Sequence, residues 1–428
     1  MSKVFSIIER AQWAVAPKKE KAAVGVTRQI IFLAILVIST LGASAQMDAD
    51  TAKTPRQSKL DALFSFYGQD GKHSAVTGGK GNENLQVYSV KISGTHKIDS
   101  VNTFYLSAGV DIISSASTDS IDFIVSSASR VDQHTSLNIG YSRQLNKQLS
   151  VGAIFSLSLE SDYFSRGGEV WFDYLRKDQR AAASLNLSAY FDDLRWGRLQ
   201  PPYIIEARNL IYPGELRDSA WFDIHHRNSY NISGSYRYDL NKRMSLSIFP
   251  SYSYQEGLLS TPFHRMYFAD KVLPEVENLP RTKHMGVLGI QLNSFIGGKF
   301  ILRSYAQYYM DDFGLTSTSI KLETPLKLKP KLSIAPSIRY ANQTASDYFK
   351  PYREHQSSEE YYTSDHDLSS FWSINPGLSF NFWFGKPETN KWQVQKLSLR
   401  YSYYQREDGL KAHIISTYFG LDRVKSRK

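Results

Sequence analysis

Alternation of apolar and polar residues is the strongest pattern in this chain. Within Asn228–Tyr254, every second position is apolar, aromatic or small, polar residues lie between, and "LNKR" (Leu240–Arg243) interrupts the series. The same alternation occurs in Leu149–Glu160 and in Arg180–Asp192. Because successive side chains of an extended strand point to opposite faces, a period of two predicts strands with one apolar and one polar face.

This pattern predicts fifteen strands that fill most of the chain after residue 58. Apart from the N-terminal segment, no ten-residue stretch has a convincing helical period. The predicted strands are Leu60–Gly68, Leu85–Lys97, Asn102–Ile113, Arg130–Leu145, Leu149–Tyr163, Arg180–Asp192, Phe222–Leu240, Met244–Glu256, Lys283–Ile296, Phe300–Asp311, Leu315–Leu328, Leu332–Ala345, Leu368–Gly385, Trp392–Gln405 and Lys411–Leu421.

The connections between these strands fall into two length classes. The short ones are "LNKQ", "LNKR", "IGGK" and "LKPK". The longer ones are Gln69–Asn84, Ser114–Ser129, Phe164–Gln179, Gly257–Thr282 and Ser346–Asp367. Tight turns at one end and longer loops at the other are typical of a transmembrane antiparallel β-barrel, with the turns on the periplasmic side. The strands are also long, commonly 11 to 16 residues, against an average of about 5 to 6 in globular proteins.

The number of strands is predicted as about 14 to 16, because a single-chain bacterial barrel has an even number. Omitting Leu60–Gly68 from the fifteen gives 14, whereas adding Tyr203–Tyr212 ("YIIEARNLIY") gives 16. The turns "LNKR" and "LNKQ" are of the same kind, and placing both at the same end requires the added strand. We therefore favour 16, although Pro201 and Pro202 argue against a long strand there.

Aromatic residues support a membrane setting. The chain has 27 Tyr and 7 Trp, and aromatic residues make up 13% of it. Rings with one polar edge suit the membrane–water boundary, so those near strand ends are predicted to form interfacial belts. The residues concerned are Tyr105, Tyr163, Trp171, Trp196, Trp221, Tyr254, Trp372, Trp383, Trp392 and Tyr418.

The N-terminal segment has the features of a secretory signal. A basic stretch precedes the apolar run Ile30–Ile38, and Ala43-Ser44-Ala45 supplies the small residues that a signal peptidase needs. We predict a cleavable signal peptide at residues 1–45, a polar lead-in at 46–57 and an outer-membrane β-barrel at 58–428. The alternative is an uncleaved N-terminal membrane anchor. Export would place the chain in the bacterial outer membrane, with lipid around the barrel.

Composition and charge narrow the function. The chain has no cysteine, which excludes disulfides, thiolate metal sites, cysteine nucleophiles and lipid-modified N-terminal cysteine. Removal of residues 1–45 leaves 45 Lys and Arg and 39 Asp and Glu, a net charge of +6. These charges form no basic arm, so nucleic-acid binding is not expected. The mean hydropathy of −0.37 fits strands that have only one apolar face.

Two sets of polar residues are candidates for function. The first, Asp311, Asp312, Asp365 and His366, would suit a hydrolase at the barrel rim, with histidine as general base. The preferred interpretation is turn chemistry for Asp311-Asp312 and a solvated loop for the other two. The second set comprises candidates for binding in the lumen or loops, namely Arg237, Arg303, Arg339, His264 and Arg265.

No metal site or cofactor is expected. His225 and His226 are adjacent and would point to opposite faces of a strand. The acidic segment "EEYYTSDHD" lacks the ligand spacing of a calcium-binding loop.

Six segments resemble a family of Gram-negative outer-membrane barrels classified as domain of unknown function 3570. They occur in the family's order and are "VDIISSASTDS", "GLLSTPFHRMYF", "ENLPRTKH", "LRSYAQYYMDDFGLTSTSIKLE", "PSIRYANQTASDYFKPY" and "YYTSDHDLSSF". The resemblance implies an outer-membrane barrel and no known reaction, so it assigns no catalytic residue. Association of such members with exported flavin-attachment and small lipoprotein components implies possible protein partners in the envelope.

These observations lead to three functional hypotheses. The first is a channel, transporter or envelope-assembly partner with long extracellular loops and an unspecified small-molecule substrate. The second is a rim-sited hydrolase that uses the Asp/His set. The third is a structural or ligand-binding surface barrel whose loops hold a partner.

Overall fold

The computed structural model describes residues 57–116, 131–160, 163–194, 226–261, 264–297, 300–385 and 391–424. Within these ranges the fold is all-β, with short 3-10 turns at Ala75–Thr77 and His366–Leu368. No α-helix with the length and apolarity of a membrane span occurs among the described residues. The predicted signal peptide lies outside these ranges, as does the lead-in up to its last residue, Gln57.

Nineteen strands are found in the described ranges. They are β1 (Gln57–Asp70), β2 (Asn84–Lys97), β3 (Asn102–Ala116), β4 (Val131–Gln144), β5 (Leu149–Leu159), β6 (Tyr163–Leu175), β7 (Ala181–Leu194), β8 (His226–Asn241), β9 (Met244–Gly257), β10 (Arg265–Met266), β11 (Glu275–Val276), β12 (Thr282–Ile296), β13 (Phe300–Asp311), β14 (Thr316–Glu323), β15 (Leu326–Lys329), β16 (Leu332–Gln343), β17 (Phe371–Trp383), β18 (Gln393–Arg406) and β19 (Lys411–Val424).

All of these strands except β10 and β11 form one closed antiparallel sheet. Each strand pairs with its neighbours in the chain, β9 pairs with β12, and β1 pairs with both β2 and β19. Strands β14 and β15 both pair with β16 and are two parts of one wall strand, interrupted at Thr324-Pro325. The described wall therefore contains sixteen strands, which confirms the predicted antiparallel barrel.

The sixteenth strand is not the one that the sequence suggested. The prediction of a long loop at Phe164–Gln179 is wrong, because most of it forms β6. Two glycines and an inward-facing row with two carboxylates hide the alternation of this strand. The first predicted strand, Leu60–Gly68, is retained within β1, whereas Tyr203–Tyr212 lies outside the described residues. With β6 in place, "LNKQ" and "LNKR" lie at the same end of the barrel, as predicted.

One ion pair identifies the inner face of the wall. Arg400 Nη2 on β18 lies 3.8 Å from Glu323 Oε2 on β14, although β16 and β17 lie between these strands. Side chains separated by two strands meet only across a concave surface, so this face is the interior. The strand period of two then assigns the remaining residues to the inside or the outside.

The outer face is an almost continuous apolar surface. Its side chains pair across neighbouring strands, as Pro250 does with Leu288 and Ile248 with Ile290. The exposed members at outward positions include Phe64, Val90, Ile112, Ile139, Phe155, Val170, Phe172, Leu185, Leu187, Ile232, Leu288, Ile290, Tyr308, Ile320, Ile338, Phe380 and Leu399. Such a surface is unfavourable in water and matches bilayer hydrocarbon, while barrel closure satisfies the backbone polar groups.

The prediction of aromatic belts is only partly right. Tyr254 and Trp372 occupy outward positions near strand ends. Tyr105, Trp171 and Tyr418 instead point inward and contact other wall residues. The Trp171 ring covers Gly152, where an added Cβ would lie 2.1 Å from the indole, and it packs 6.0 Å from the Tyr105 ring. Trp196 and Trp221 lie outside the described residues.

We expect a charge on the outer face to destabilise the barrel far more than the same charge inside. Ile290 lies at mid-height on β12 and faces outward, whereas its neighbour Gln291 faces inward. Ile290→Lys should reduce the free energy of unfolding by about 2–4 kcal/mol, because an ammonium group is placed in hydrocarbon. Gln291→Lys is the matched control and should cost roughly 1 kcal/mol or less. Urea titrations in lipid vesicles measure both values, and equal losses would contradict the assigned faces.

Candidate functional site

One wall of the lumen is basic. On strands β13 to β18, the inward positions carry the cationic residues Arg303, Lys321, Lys327, Arg339, Lys396 and Arg400. Glu323 lies among them, with its side chain 12% exposed. Arg303 Nη1 lies 2.8 Å and Lys321 Nζ 3.4 Å from the Glu323 carboxylate. Several cations thus share one carboxylate, and this side of the lumen has a positive potential.

The opposite wall is acidic. Strands β3 to β7 direct Asp111, Glu169, Asp173 and Asp192 inward, and no described inward position on these strands holds Lys or Arg. His134 links Asp111 and Ser158, at 2.9 and 2.5 Å from its two ring nitrogens. Three strands separate this wall from the basic wall on either side (β19, β1 and β2, or β8, β9 and β12). The two walls therefore face each other across the lumen.

A groove of about 240 Å³ lies at the edge of the basic wall, between strands β17, β18, β19 and β1. It is lined by Leu63, Ser379, Asn381, Lys396, Ser398, Arg400, Ser416 and Tyr418. Arg400 Nε donates to Ser379 Oγ at 2.9 Å, and Ser398 Oγ donates to Asn381 Oδ1 at 2.7 Å. Two cations and several neutral donors converge there, a combination that suits a carboxylate or phosphate group.

A larger cavity of about 880 Å³ opens at the turn end of the barrel. Its lining includes Arg180, Asp239, Lys242, Arg243, Asn293 and Phe295. The predicted binding residue Arg237 points inward nearby, with its Nε 3.8 Å from Asp239 Oδ1. Among the described residues, this end of the lumen is open, in contrast with the loop end, and its lining combines charged with apolar side chains.

Loops cover the mouth at the other end. The segments 71–83, 258–281 and 344–370, which we call the loop cap, contact one another. Strand β10 packs on the 3-10 turn Ala75–Thr77, and Lys80 Nζ lies 5.2 Å from the centre of the Tyr352 ring. Six wall strands lie between β12 and β1, an arc of roughly 30 Å. Contacts between their loops must therefore cross the barrel mouth.

The loop cap has its own small hydrophobic core. Met266 and Phe268 are 0% and 1% exposed, and Tyr362 packs edge-on against Phe268 at 4.9 Å. Backbone contacts join the same segments, since Ala269 N–H donates to the His355 carbonyl at 2.8 Å and Tyr362 N–H to that of Asn278. The cap is thus a packed structure with a defined geometry.

Glu277 joins two segments of the cap. Its carboxylate accepts from Thr261 N–H at 2.7 Å and from Thr363 Oγ1 at 2.5 Å, and His264 Nδ1 lies 3.3 Å away. Burial opposes the charged imidazolium, but the hydrogen bond and charge of Glu277 outweigh it and raise the pKa of His264. The predicted binding residue His264 is therefore half-buried in the cap, where it pairs with Glu277.

A second histidine pair lies further into segment 344–370. His355 is 1% exposed, and its Nδ1 lies 2.6 Å from Glu359 Oε2, while Lys350 Nζ donates to Glu359 Oε1 at 2.7 Å. Despite partial burial, these hydrogen bonds lower the pKa of Glu359 to about 2. His355 Nε2 is 3.0 Å from the Thr363 carbonyl, so this pair fixes the fold of the segment.

The four residues of the predicted hydrolase set lie in separate contacts. Asp311 accepts from the N–H groups of Phe313 and Leu315 at 3.0 Å and pairs with Lys283. The Asp312 carboxylate accepts from the N–H of His284 at 3.0 Å. These are turn and strand-end contacts, as the preferred interpretation proposed.

The other half of that set belongs to the cap. Asp365 accepts from the Asp367 N–H at 2.9 Å and begins the 3-10 turn, and burial raises its pKa. His366 stacks on His73 with ring centres 3.9 Å apart. Among the described contacts, none joins Asp311 or Asp312 to this pair.

The other predicted binding residues divide between lumen and cap. Arg303 and Arg339 face the lumen, and the register places Arg339 opposite Lys321. Arg265 lies in β10 within the cap, where burial lowers its pKa.

Sequence reasoning did not single out Glu277, His355 and His73 in the cap, or Asp408 in the turn between β18 and β19. Each lies in a polar segment whose composition is that of a solvated loop. Glu277 and His73 meet partners from distant loops, Thr363 and His366, and no spacing within one segment identifies such contacts. His355 differs, because it pairs with Glu359 four residues later, a spacing that could have been noticed.

Comparison with solved structures gives matches at low identity. A bacterial polysaccharide outer membrane secretin matches with a TM-score of 0.44 and 9% identity, over 86% of this chain and 98% of that chain. OccD3 (OpdP) of Pseudomonas aeruginosa matches with a TM-score of 0.42 and 11% identity, over 87% and 93%. The TodX deltaS2S3 mutant monoaromatic hydrocarbon channel matches with a TM-score of 0.40 and 11% identity, over 87% and 91%.

Comparison by sequence gives one family. The family described as protein of unknown function (DUF3570) matches residues 125–414, which is more than half of the chain. No curated protein matches.

We expect Glu277→Gln to loosen the loop cap. The change weakens the bonds from Thr261 and Thr363 and removes the nearer of two carboxylates beside His264, leaving Asp365 Oδ2 at 3.8 Å. Local opening should therefore become easier by about 1–3 kcal/mol. Hydrogen exchange of segment 344–370 measures this opening. Glu354→Gln in the same segment is the matched control, since Glu354 is exposed, and it should leave exchange unchanged.

The same variant should alter the pH dependence of the cap. A raised pKa for His264 stabilises the folded cap fully below about pH 6.5, and this contribution is lost as the pH rises through the folded pKa. Exchange of the wild-type segment, corrected for intrinsic rates, should therefore increase toward alkaline pH. Glu277→Gln should flatten that increase, and an unchanged pH profile would contradict the pairing.

Proposed function

The chain belongs to the family described as protein of unknown function (DUF3570), and we propose that it forms a channel in the bacterial outer membrane for small polar solutes that carry negative charge. The observation that carries this proposal is the opposition of a basic and an acidic wall across the lumen. The apolar outer face supplies the membrane-embedded surface that such a channel requires.

The charge arrangement favours anionic groups on one specific side. Arg339, Lys396 and Arg400 line the basic wall, while the carboxylates opposite have local partners. Asp111 pairs with His134, Asp173 accepts from Ser184, and Asp192 pairs with Arg227. Arg227 neutralises Asp192, and the other two carboxylates are held by hydrogen bonds. A solute with a carboxylate or phosphate group would be drawn to the basic wall and would leave its cationic or hydroxyl part toward the acidic wall.

The loop cap controls the passage of solutes at the loop end of the barrel. Its segments meet over the mouth, whereas the turn end has an open cavity of about 880 Å³. Entry from the loop side therefore requires the cap to move, and the proposed channel is gated at that end. Because the cap is held by a small core and by Glu277, its opening is a local event that leaves the wall intact.

Outer-membrane placement also rests on export, which we propose to occur by cleavage after Ala45. The basic stretch and the apolar run Ile30–Ile38 precede that site. N-terminal sequencing of the protein purified from membranes tests it. Gln46 as first residue is expected, and retention of residues 1–45 would support the anchor alternative.

A surface barrel that binds a partner through its loops is the second candidate. Val272 and Leu273 at the tip of segment 258–281 are 88% and 68% exposed, the most exposed large apolar residues in the described ranges. Exposed apolar residues at a loop tip favour contact with another molecule. This candidate predicts no conductance even after the cap is loosened, which separates it from the channel.

We expect the basic wall to determine ion selectivity. In planar bilayers with a KCl gradient, the Glu277→Gln protein should conduct more than wild type and prefer chloride. Adding Arg339→Glu and Arg400→Glu should lower the chloride-to-potassium permeability ratio several-fold, because the wall then repels anions. Lys147→Glu in the exposed turn after β4 is the control and should leave the ratio unchanged. A closed trace in every variant would overturn the channel, and an unchanged ratio would overturn the role of the wall.

A further inference from the structure

Three metal-ligating side chains meet where three loops of the barrel come together. His73 lies in segment 71–83, His366 in segment 344–370, and Asp408 in the turn between β18 and β19. One ligand atom of each lies within 4.8 Å of the others, and all three residues are half-buried. The proposed channel uses none of them.

The backbone of its own loop orients the His73 ring. His73 Nδ1 lies 3.1 Å from the Gly79 carbonyl oxygen, so Nδ1 donates to this carbonyl and Nε2 is the ring nitrogen left to bind a metal. A hydrogen bond from the second ring nitrogen to a carbonyl commonly orients metal-bound histidine.

The backbone of segment 71–83 fits closely under His366. Gly79 has a φ of +83°, and an added Cβ would lie 2.6 Å from the Ser364 carbonyl oxygen and 3.1 Å from His366 Cδ2. Glycine is therefore needed both for the left-handed conformation and for the close approach. This approach brings His73 and His366 into ring contact.

Asp408 is held in place by Arg406, which is 3% exposed. Arg406 Nε lies 2.8 Å from Asp408 Oδ1, and Nη2 lies 2.6 Å from Oδ2. Arg406 also pairs with Asp367. Each carboxylate oxygen has two acceptor sites, so Asp408 keeps capacity for a cation. The two carboxylates paired with Arg406, those of Asp367 and Asp408, exceed its single positive charge.

We propose that His73, His366 and Asp408 form a binding site for a divalent late transition-metal ion that joins three loops at the edge of the cap. Two imidazoles and one carboxylate suit Zn²⁺, Ni²⁺ or Cu²⁺, whereas Ca²⁺ and Mg²⁺ prefer oxygen ligands. Three protein ligands leave a coordination position for water or for a group on a passing solute.

Binding would change the contact between the two rings. They now lie nearly parallel, with an interplanar angle of 18° and centres 3.9 Å apart. A shared ion needs both nitrogens at about 2.0–2.1 Å from the metal, with their lone pairs directed at it. The rings must therefore tilt out of the stack, and the ion replaces a weak ring contact by bonds between loops.

The ion would hold three loops together at the edge of the loop cap. Segment 71–83 follows β1, the 407–410 turn joins β18 to β19, and segment 344–370 precedes β17, so the site links neighbouring sectors of the wall. The site lies in the loops alone and does not depend on whether the barrel conducts.

Metal titration of the mature full-length barrel in detergent tests the site. After chelator treatment, calorimetry with Zn²⁺ should give one ion per chain. His73→Gln and His366→Gln should each raise the dissociation constant at least about tenfold, since each removes one metal bond. His413→Gln, on the outer face of β19 beside Tyr401, removes a histidine elsewhere and should have no effect. Equal affinity in all four proteins, or no saturable binding, would overturn the proposal.

A spectroscopic measurement keeps the test independent of affinity changes caused by altered folding. With Cu²⁺ as probe, electron paramagnetic resonance should detect two imidazole nitrogens in the wild type and in His413→Gln. Each of His73→Gln and His366→Gln should show one. Two nitrogens in either site variant would place the ion elsewhere and overturn the assignment.

Discussion

Closure of the sheet is the constraint on which the rest of this structure depends. A strand edge in hydrocarbon leaves unpaired N–H and C=O groups, each costing several kcal/mol. Pairing of β1 with β19 over fourteen residues removes that edge. Once the sheet is closed, one face of every strand meets lipid and the other encloses the lumen. The apolar surface, the two charged walls and the cap over the mouth all follow from that geometry.

Most strands of the wall could be predicted from the sequence because the alternation of apolar and polar residues is a local pattern. Alternation reports the direction of each side chain, and turns such as "LNKR" mark the strand ends. The rule failed at β6, where Gly167 and Gly168 interrupt the series and Glu169 and Trp171 occupy inward positions. It also placed Tyr105 and Trp171 at the membrane boundary. Strand parity directs both rings inward, and the Trp171 ring covers Gly152 on the neighbouring strand, a contact between strands that position along one strand does not reveal.

The charged lumen was only partly predictable, and the cap hardly at all. Arg303 and Arg339 were identified as interior residues because strand parity assigns them. The opposition of basic and acidic walls depends on strand order around the barrel, which sequence alone gives only after every strand is counted. In the cap, Glu277 meets Thr363 and His73 meets His366 through loops that are distant in the chain. These contacts depend on tertiary packing of irregular segments, for which no periodic pattern exists.

The interruption at Thr324-Pro325 has a mechanical consequence for the basic wall. The ladder between β13 and β14 ends at the pair Arg303–Glu323, and β15 continues with a register shift against β16. Proline supplies no N–H donor there, so the hydrogen-bond ladder of the wall has a gap that begins next to this pair. The 2.8 Å contact between Arg303 and Glu323 lies at the end of that gap and joins β13 to β14 there. An ion pair that contributes to the charge of the lumen thereby also joins two wall strands where their hydrogen-bond ladder ends.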